Sequence, residues 1–223
     1  MSDELLDALE VETAPSPAAT VIWLHGLGAD GYDFVDIVPA LRLPGTPAVR
    51  FVFPHAPMRP VTINQGMVMR AWYDVRNDAG ARREDEPGVR ESQRRIDALI
   101  AREKARGVSA SRLVLAGFSQ GGAMALQTGL RHPERLAGVM ALSCFLPLPD
   151  TLAAEASAAN RDVAIFLAHG VHDPLIPLAR ARHAHEALTG LGYRVEWRDY
   201  PMPHAVCDAE IRDIAAWLAR ILA

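Results

Sequence analysis

A chain of 223 residues falls within the range of one domain, 1–223, and folding at this size removes roughly 70% of the unfolded surface from water, so a substantial core fits. Half of the residues are hydrophobic and 22% are charged, which excludes a disordered or fibrous chain. The 23 basic and 27 acidic residues give a formal net charge of −4, which excludes the overall basic footprint of a nucleic-acid binder.

In chain order, an acidic start with Asp3 and Glu4 leads into a Pro- and Ala-rich loop at 13–19. Thr20 to Leu24 then forms a short apolar run rich in β-formers, and comparable runs recur at Val49 to Phe53, Arg112 to Ala116, Gly138 to Leu142 and Val163 to Ala168. Each is apolar along its length instead of alternating, the mark of a strand covered on both faces. A further strand is read at Arg194 to Asp199. Helical periodicity runs from about Val89 to Arg106, with Ile96, Leu99 and Ile100 on one face among charged neighbours. It recurs at Gly121 to Arg131, Leu178 to Leu191 and Asp208 to Leu222. Residues 54–87 resist a regular reading, and a segment of that length is often a functional loop, here a candidate substrate wall.

Alternation of strand and helix predicts a mostly parallel, doubly wound sheet with helices on both faces and a ligand site beyond the carboxyl ends of the strands. Two cysteines, Cys144 and Cys207, are too few for a disulfide framework. No export signal is visible at the acidic N-terminus, so the expected compartment is cytoplasmic. The uncharged run from Leu113 to Leu130 is interrupted by four glycines, two glutamines, Ser119 and Thr128, so no stable membrane insertion is expected.

The strongest chemical signal is Gly117-Phe118-Ser119-Gln120-Gly121, a G-x-S-x-G sequence between a strand and a helix. In that context the serine sits on a tight, strained turn that projects its hydroxyl. A serine hydroxyl is a weak nucleophile and needs a histidine to take its proton and an acid to orient that histidine. In this strand–turn–helix setting the acid and then the histidine follow the serine. Asp173 lies just past the predicted strand Val163 to Ala168. Its competitor Asp162 precedes that strand and belongs at the opposite edge of the sheet. His204 lies in a loop before the last helix, whereas His132, His183 and His185 fall on helical patterns. For the oxyanion, the amide of Gln120 follows the nucleophile, and the Gly-rich stretch His25 to Gly31 places Leu27 as the second donor. That stretch lacks the G-K-[ST] ending of a phosphate loop. The cluster of His169, His172, Asp173, His183 and His185 invites a metal reading, but His183 and His185 are spaced unsuitably for one helix face.

Taken together, HGLGADG (25–31), GFSQGGAMAL (117–126), HGVHDPLIP (169–177) and YPMPHAVCDAEI (200–211) resemble the carboxylesterase, lysophospholipase and acyl-protein thioesterase group of α/β-hydrolases. The likeness runs from about Val21 to the C-terminus and is strongest to the small bacterial carboxylesterases, through segments like FPHAP (53–57) and MRAWYD (69–74). The resemblance implies Ser119, Asp173 and His204 as a triad, with the Leu27 and Gln120 amides as oxyanion hole. It also implies no metal or organic cofactor and a shallow apolar acyl groove, with Trp72, Phe145 and Leu175 as lining candidates. In several relatives it implies a homodimer. His25 and His55 read as structural groups bonding loop backbone. The expected activity is that of a serine carboxylesterase on small-molecule esters of short to medium acyl chains. The alternatives are an acyl-protein thioesterase, a lysophospholipase, and a non-catalytic ligand-binding relative.

Overall fold

The computed structural model describes residues 5–43, 45–78 and 81–223; Asp3, Glu4 and positions 79–80 of the irregular segment lie outside the described residues. The apolar runs become the middle of a seven-stranded sheet. Its strands are β1 (Ala8–Glu12), β2 (Ala19–Leu24), β3 (Val49–Pro54), β8 (Leu113–Phe118), β9 (Gly138–Leu142), β10 (Ala164–Gly170) and β11 (Val195–Tyr200), in spatial order β1-β3-β2-β8-β9-β10-β11. All neighbours pair in parallel except β1, which runs antiparallel to β3 at one edge. The fold is that of an α/β-hydrolase.

The uninterrupted apolar strands reflect two cores. Ile22 and Leu24 of β2 face one, with Ile96, Leu99, Met124 and Leu188. Val21 and Trp23 face the other, with Ile37, Ile214, Trp217 and Leu218. Helices α2 (Glu86–Ala105), α3 (Gln120–Gly129), α4 (Pro149–Glu155) and α5 (Leu178–Gly190) therefore cover one face, and α1 (Ile37–Leu41) and α6 (Asp208–Leu222) the other.

The sequence expectation differs from the structure in several places, and the short helices α1 and α4 were not among the expected elements. Strand β1 escapes it because five residues, half-buried at an edge and partly acidic, carry too little apolar signal. Arg112 belongs to a short turn, and β8 instead continues through Phe118 to the residue before Ser119. The irregular segment contains two small antiparallel hairpins, β4 (Met58–Val61) with β5 (Met67–Arg70) and β6 (Val75–Asp78) with β7 (Ala81–Glu84). Their strands are only four residues each, and β4 and β5 are mostly exposed, so no burial pattern is imprinted on them. Among the described residues no helix is long and apolar enough to cross a membrane.

One charged residue of α2 is not on its solvated face. Glu103 is fully buried and accepts from Thr20 Oγ1 of β2 at 3.0 Å, Arg50 Nη1 of β3 at 2.9 Å and Arg106 Nη1 at 3.0 Å. Arg50 reaches on to Glu12 of β1 at 2.9 Å. The cluster ties the end of α2 to three strands. Burial alone would raise the Glu103 pKa, but the Arg50 hydrogen bond and the charges of Arg102 and Arg106 outweigh it and hold the carboxyl below the usual glutamate range.

A carboxylate depressed in this way stabilises the fold fully above about pH 4.3, and loses that contribution as pH falls through its lower folded value. Glu103→Ala leaves the buried Arg50 undercompensated and is expected to cost about 3–5 kcal/mol at neutral pH. In urea titrations the deficit relative to the parent should shrink as pH is lowered below about 4.

Candidate active site

The site is assembled where β2, β8 and β10 end, and it begins with a steric constraint. A Cβ on Gly121 would sit 2.1 Å from the Leu24 carbonyl oxygen of β2, and one on Gly117 would sit 2.3 Å from the backbone of Gly121. Only glycine lets α3 start this close to the strands. Between these residues Ser119 has φ 54° and ψ −120°. A non-glycine residue held there costs about 1–3 kcal/mol and persists only when its surroundings fix it. Its N–H donates to Leu142 O of β9 at 2.8 Å and its C=O accepts from Ala123 N at 3.1 Å. The serine thus stands at the N-terminus of a ten-residue helix, whose dipole favours negative charge.

The turn after β10 carries the acid. Asp173 Oδ1 accepts the amides of Leu175 and Ile176, each at 2.8 Å, and Oδ2 accepts from His204 Nδ1 at 2.6 Å. The carboxylate has no solvent exposure. His169, also buried, donates from Nε2 to Ile176 O at 2.8 Å and shores up the same turn; burial lowers its pKa, which keeps the ring neutral. His204 is thus held through Nδ1 by Asp173. Its ring packs on Phe118, with centroids 4.7 Å apart, and it lines one cavity together with Ser119. Asp162 is on the far side, exposed and ion-paired with Arg135 at the start of β10.

The loop after β2 closes another wall. Gly26 lies against Ser119, so near that an added Cβ would contact the serine Cβ at 3.4 Å. Leu27 and Gln120 both line the cavity beside Ser119. His25 is buried, donates from Nδ1 to Gly26 O at 2.7 Å and accepts at Nε2 from the Ala56 amide at 3.0 Å. Accepting at Nε2 requires a neutral ring, and burial, opposed by the Gly26 bond, lowers its pKa to about 4. His55 accepts from the Gly31 amide at 3.1 Å. Both histidines bond loop backbone, as expected.

The cavity has a volume of about 330 Å³. Phe145 and Leu175 line it, Leu175 at the rim and more than half exposed. Trp72 does not, which corrects the sequence expectation: it is fully buried, with its indole N–H donating to His25 O at 2.9 Å, and its neighbour Tyr73 faces the cavity instead. The reason is Gln120, whose side chain accepts from the Trp72 amide and donates to Tyr73 O, both at 2.8 Å. Sequence reasoning took only the amide of Gln120; a glutamine inside G-x-S-x-G carries no signal that its side chain pins a segment 47 residues away. It also missed Arg180 and Glu84, which meet at the cavity's far side. Among the described residues no group of His, Cys, Asp and Glu could hold a metal ion; His172 and His183 are exposed, and His185 packs on Trp197.

The phospholipase/carboxylesterase family model matches residues 7–222. The chain belongs to this family. It is 37% identical to acyl-protein thioesterase 1 of Gibberella zeae, over 100% of this chain and 98% of that protein. It is 34% identical to acyl-protein thioesterase 1 of Cryptococcus neoformans, over 97% and 98%. Among solved members, acyl-protein thioesterase 2 of Zea mays superposes with a TM-score of 0.85 at 26% identity, covering 97% of this chain and 99% of its own. The family assignment makes the chain a hydrolase.

Removing the Gln120 side chain deprives the buried Trp72 amide of its acceptor. Gln120→Ala is expected to cost about 1–3 kcal/mol or more in urea unfolding, and to speed hydrogen exchange at the Trp72 amide.

Proposed function

We propose that the chain is a serine hydrolase of acyl thioesters, with Ser119 as nucleophile, His204 as general base and Asp173 as the group that orients it. The observation that carries the catalytic reading is the 2.6 Å bond from His204 to a fully buried Asp173, in the same cavity as a backbone-strained Ser119. The thioester preference rests on the relatives named above, which favour the thioesterase alternative over the carboxylesterase expected from sequence.

Ser119 Oγ attacks the thioester carbonyl as His204 Nε2 takes its proton, and Asp173 stabilises the imidazolium. The amides of Leu27 and Gln120 receive the oxyanion, one such donor being typically worth about 3–4 kcal/mol. Collapse expels the thiolate, which leaves as a thiol with the proton from His204. Water then adds to the acyl-enzyme by the same steps, releasing a carboxylic acid and restoring Ser119. No metal or organic cofactor enters this sequence. Free Cys144 and Cys207 suit a reducing cytoplasm.

The same steps cleave oxygen esters, and the modest cavity volume favours short to medium acyl chains in that second, carboxylesterase reading. Comparing kcat/KM for an S-acyl cysteine peptide and the matched O-acyl serine peptide separates the two: the thioester should exceed the ester, and an ester cleaved as fast or faster returns the carboxylesterase reading. Ser119→Ala and His204→Ala should each lower kcat on the order of a millionfold, with the double variant little worse, because the residues act as a unit. Additive losses would contradict a triad acting as a unit, and no Ser119 adduct with a fluorophosphonate would leave a ligand-binding role in place of catalysis.

A further inference from the structure

Phe145 and Arg180 belong to two cavities at once. On one side is the cavity of Ser119 and His204; on the other is a second cavity of about 250 Å³ between α4 and α5, walled by Leu146, Pro149, His183, Ala184 and Ala187. The partition is a stacked pair, with the Arg180 guanidinium carbon 3.9 Å from the centre of the Phe145 ring. Arg180 Nη2 also donates to Glu84 Oε1 of β7 at 3.3 Å, and its side chain is 35% exposed. A cation over a ring and an ion pair are both weak at such an exposed position. A surface arginine changes rotamer in picoseconds to nanoseconds, far faster than turnover of a typical enzyme. The barrier between the cavities is therefore one mobile side chain held by two weak ties.

We propose that Arg180 is a gate on acyl-chain length, with the second cavity as the subsite for the distal methylenes of a long acyl chain. With the guanidinium stacked on Phe145 and tied to Glu84, the catalytic cavity ends there and short acyl groups fill it. With Arg180 swung toward solvent, the two cavities join. The walls beyond the gate are mostly apolar, with Leu146, Pro149, Ala184 and Ala187 offering an alkyl tail burial and the imidazole of His183 at the solvent-exposed margin. Glu84 holds the gate shut, so the hairpin carrying it sets the tail length through charge.

The inference rests on the hydrolase reading, and the experiment keeps the two apart. The quantity is the ratio of kcat/KM for a dodecanoyl thioester to that for a butanoyl thioester. Taken on one preparation, it cancels any loss of folded enzyme. Arg180→Ala should raise the ratio by roughly three- to thirtyfold, the factor that the two ties holding the gate shut are together worth. Glu84→Gln should raise it in the same direction but less. Adding Ala187→Trp, or the smaller plug Ala187→Phe, to Arg180→Ala should remove the gain by filling the second cavity. An unchanged ratio in Arg180→Ala, or a gain that survives both plugs, overturns the gate. A parent chain that cleaves neither thioester nor the matching oxygen esters overturns the hydrolase reading, and the gate with it.

Discussion

The close approach of α3 to the ends of β2 and β8 is the constraint on which the site depends. Gly121 lets the first turn of the helix touch the Leu24 carbonyl, and that contact brings together Ser119, the loop of Gly26 and Leu27, and the amide of Gln120. The buried strands beneath make this possible, because a sheet covered on both faces leaves only its carboxyl ends free for chemistry. Any larger residue at 121 would push the helix outward and separate the serine from the loop it faces.

Whereas the buried Asp173 carboxylate holds the turn after β10, the loops after β2 and β3 and the start of α3 are joined by buried polar groups that stay neutral. His25 is held unprotonated by burial and serves as donor and acceptor at once, joining the loop after β2 to the one after β3. Gln120 spans from the helix to Trp72 and Tyr73, and Ser92 of α2 donates to the Trp72 carbonyl from the other side. A charged group in any of these places would need a counter-ion in a confined interior, whereas amide, hydroxyl and neutral imidazole satisfy their bonds locally. The charged clusters lie elsewhere: Glu103 with Arg50 under the edge strands, and Glu155 with Arg90 and Arg131, which hold its pKa near 2, between α4 and the helices beside it.

What could be read in the sequence follows from how local each cause is. The central strands and long helices were legible because double-sided burial and amphipathic spacing are printed in consecutive residues. Ser119, Asp173 and His204 were legible because their positions relative to predicted strands already place them at one edge, and the structure brings all three there. Trp72 was misplaced because an aromatic residue gives no local sign of whether it faces a cavity or the core; a glutamine distant in sequence decides it. Glu103 looked like one more charge on a solvated helix, since its partners come from three strands far away in the chain. The hairpin of β4 and β5 left no trace because short, mostly exposed strands have no buried face to imprint.

The backbone of Ser119 has an implication for how the chain can vary. A positive φ is comfortable only for glycine, so replacing this serine by glycine would relieve strain at the same time as it removed the hydroxyl. Selection for folding and selection for the chemistry proposed here pull in opposite directions at this one residue. A relative that had abandoned catalysis would be expected to drift toward glycine at this position, and to gain stability by doing so.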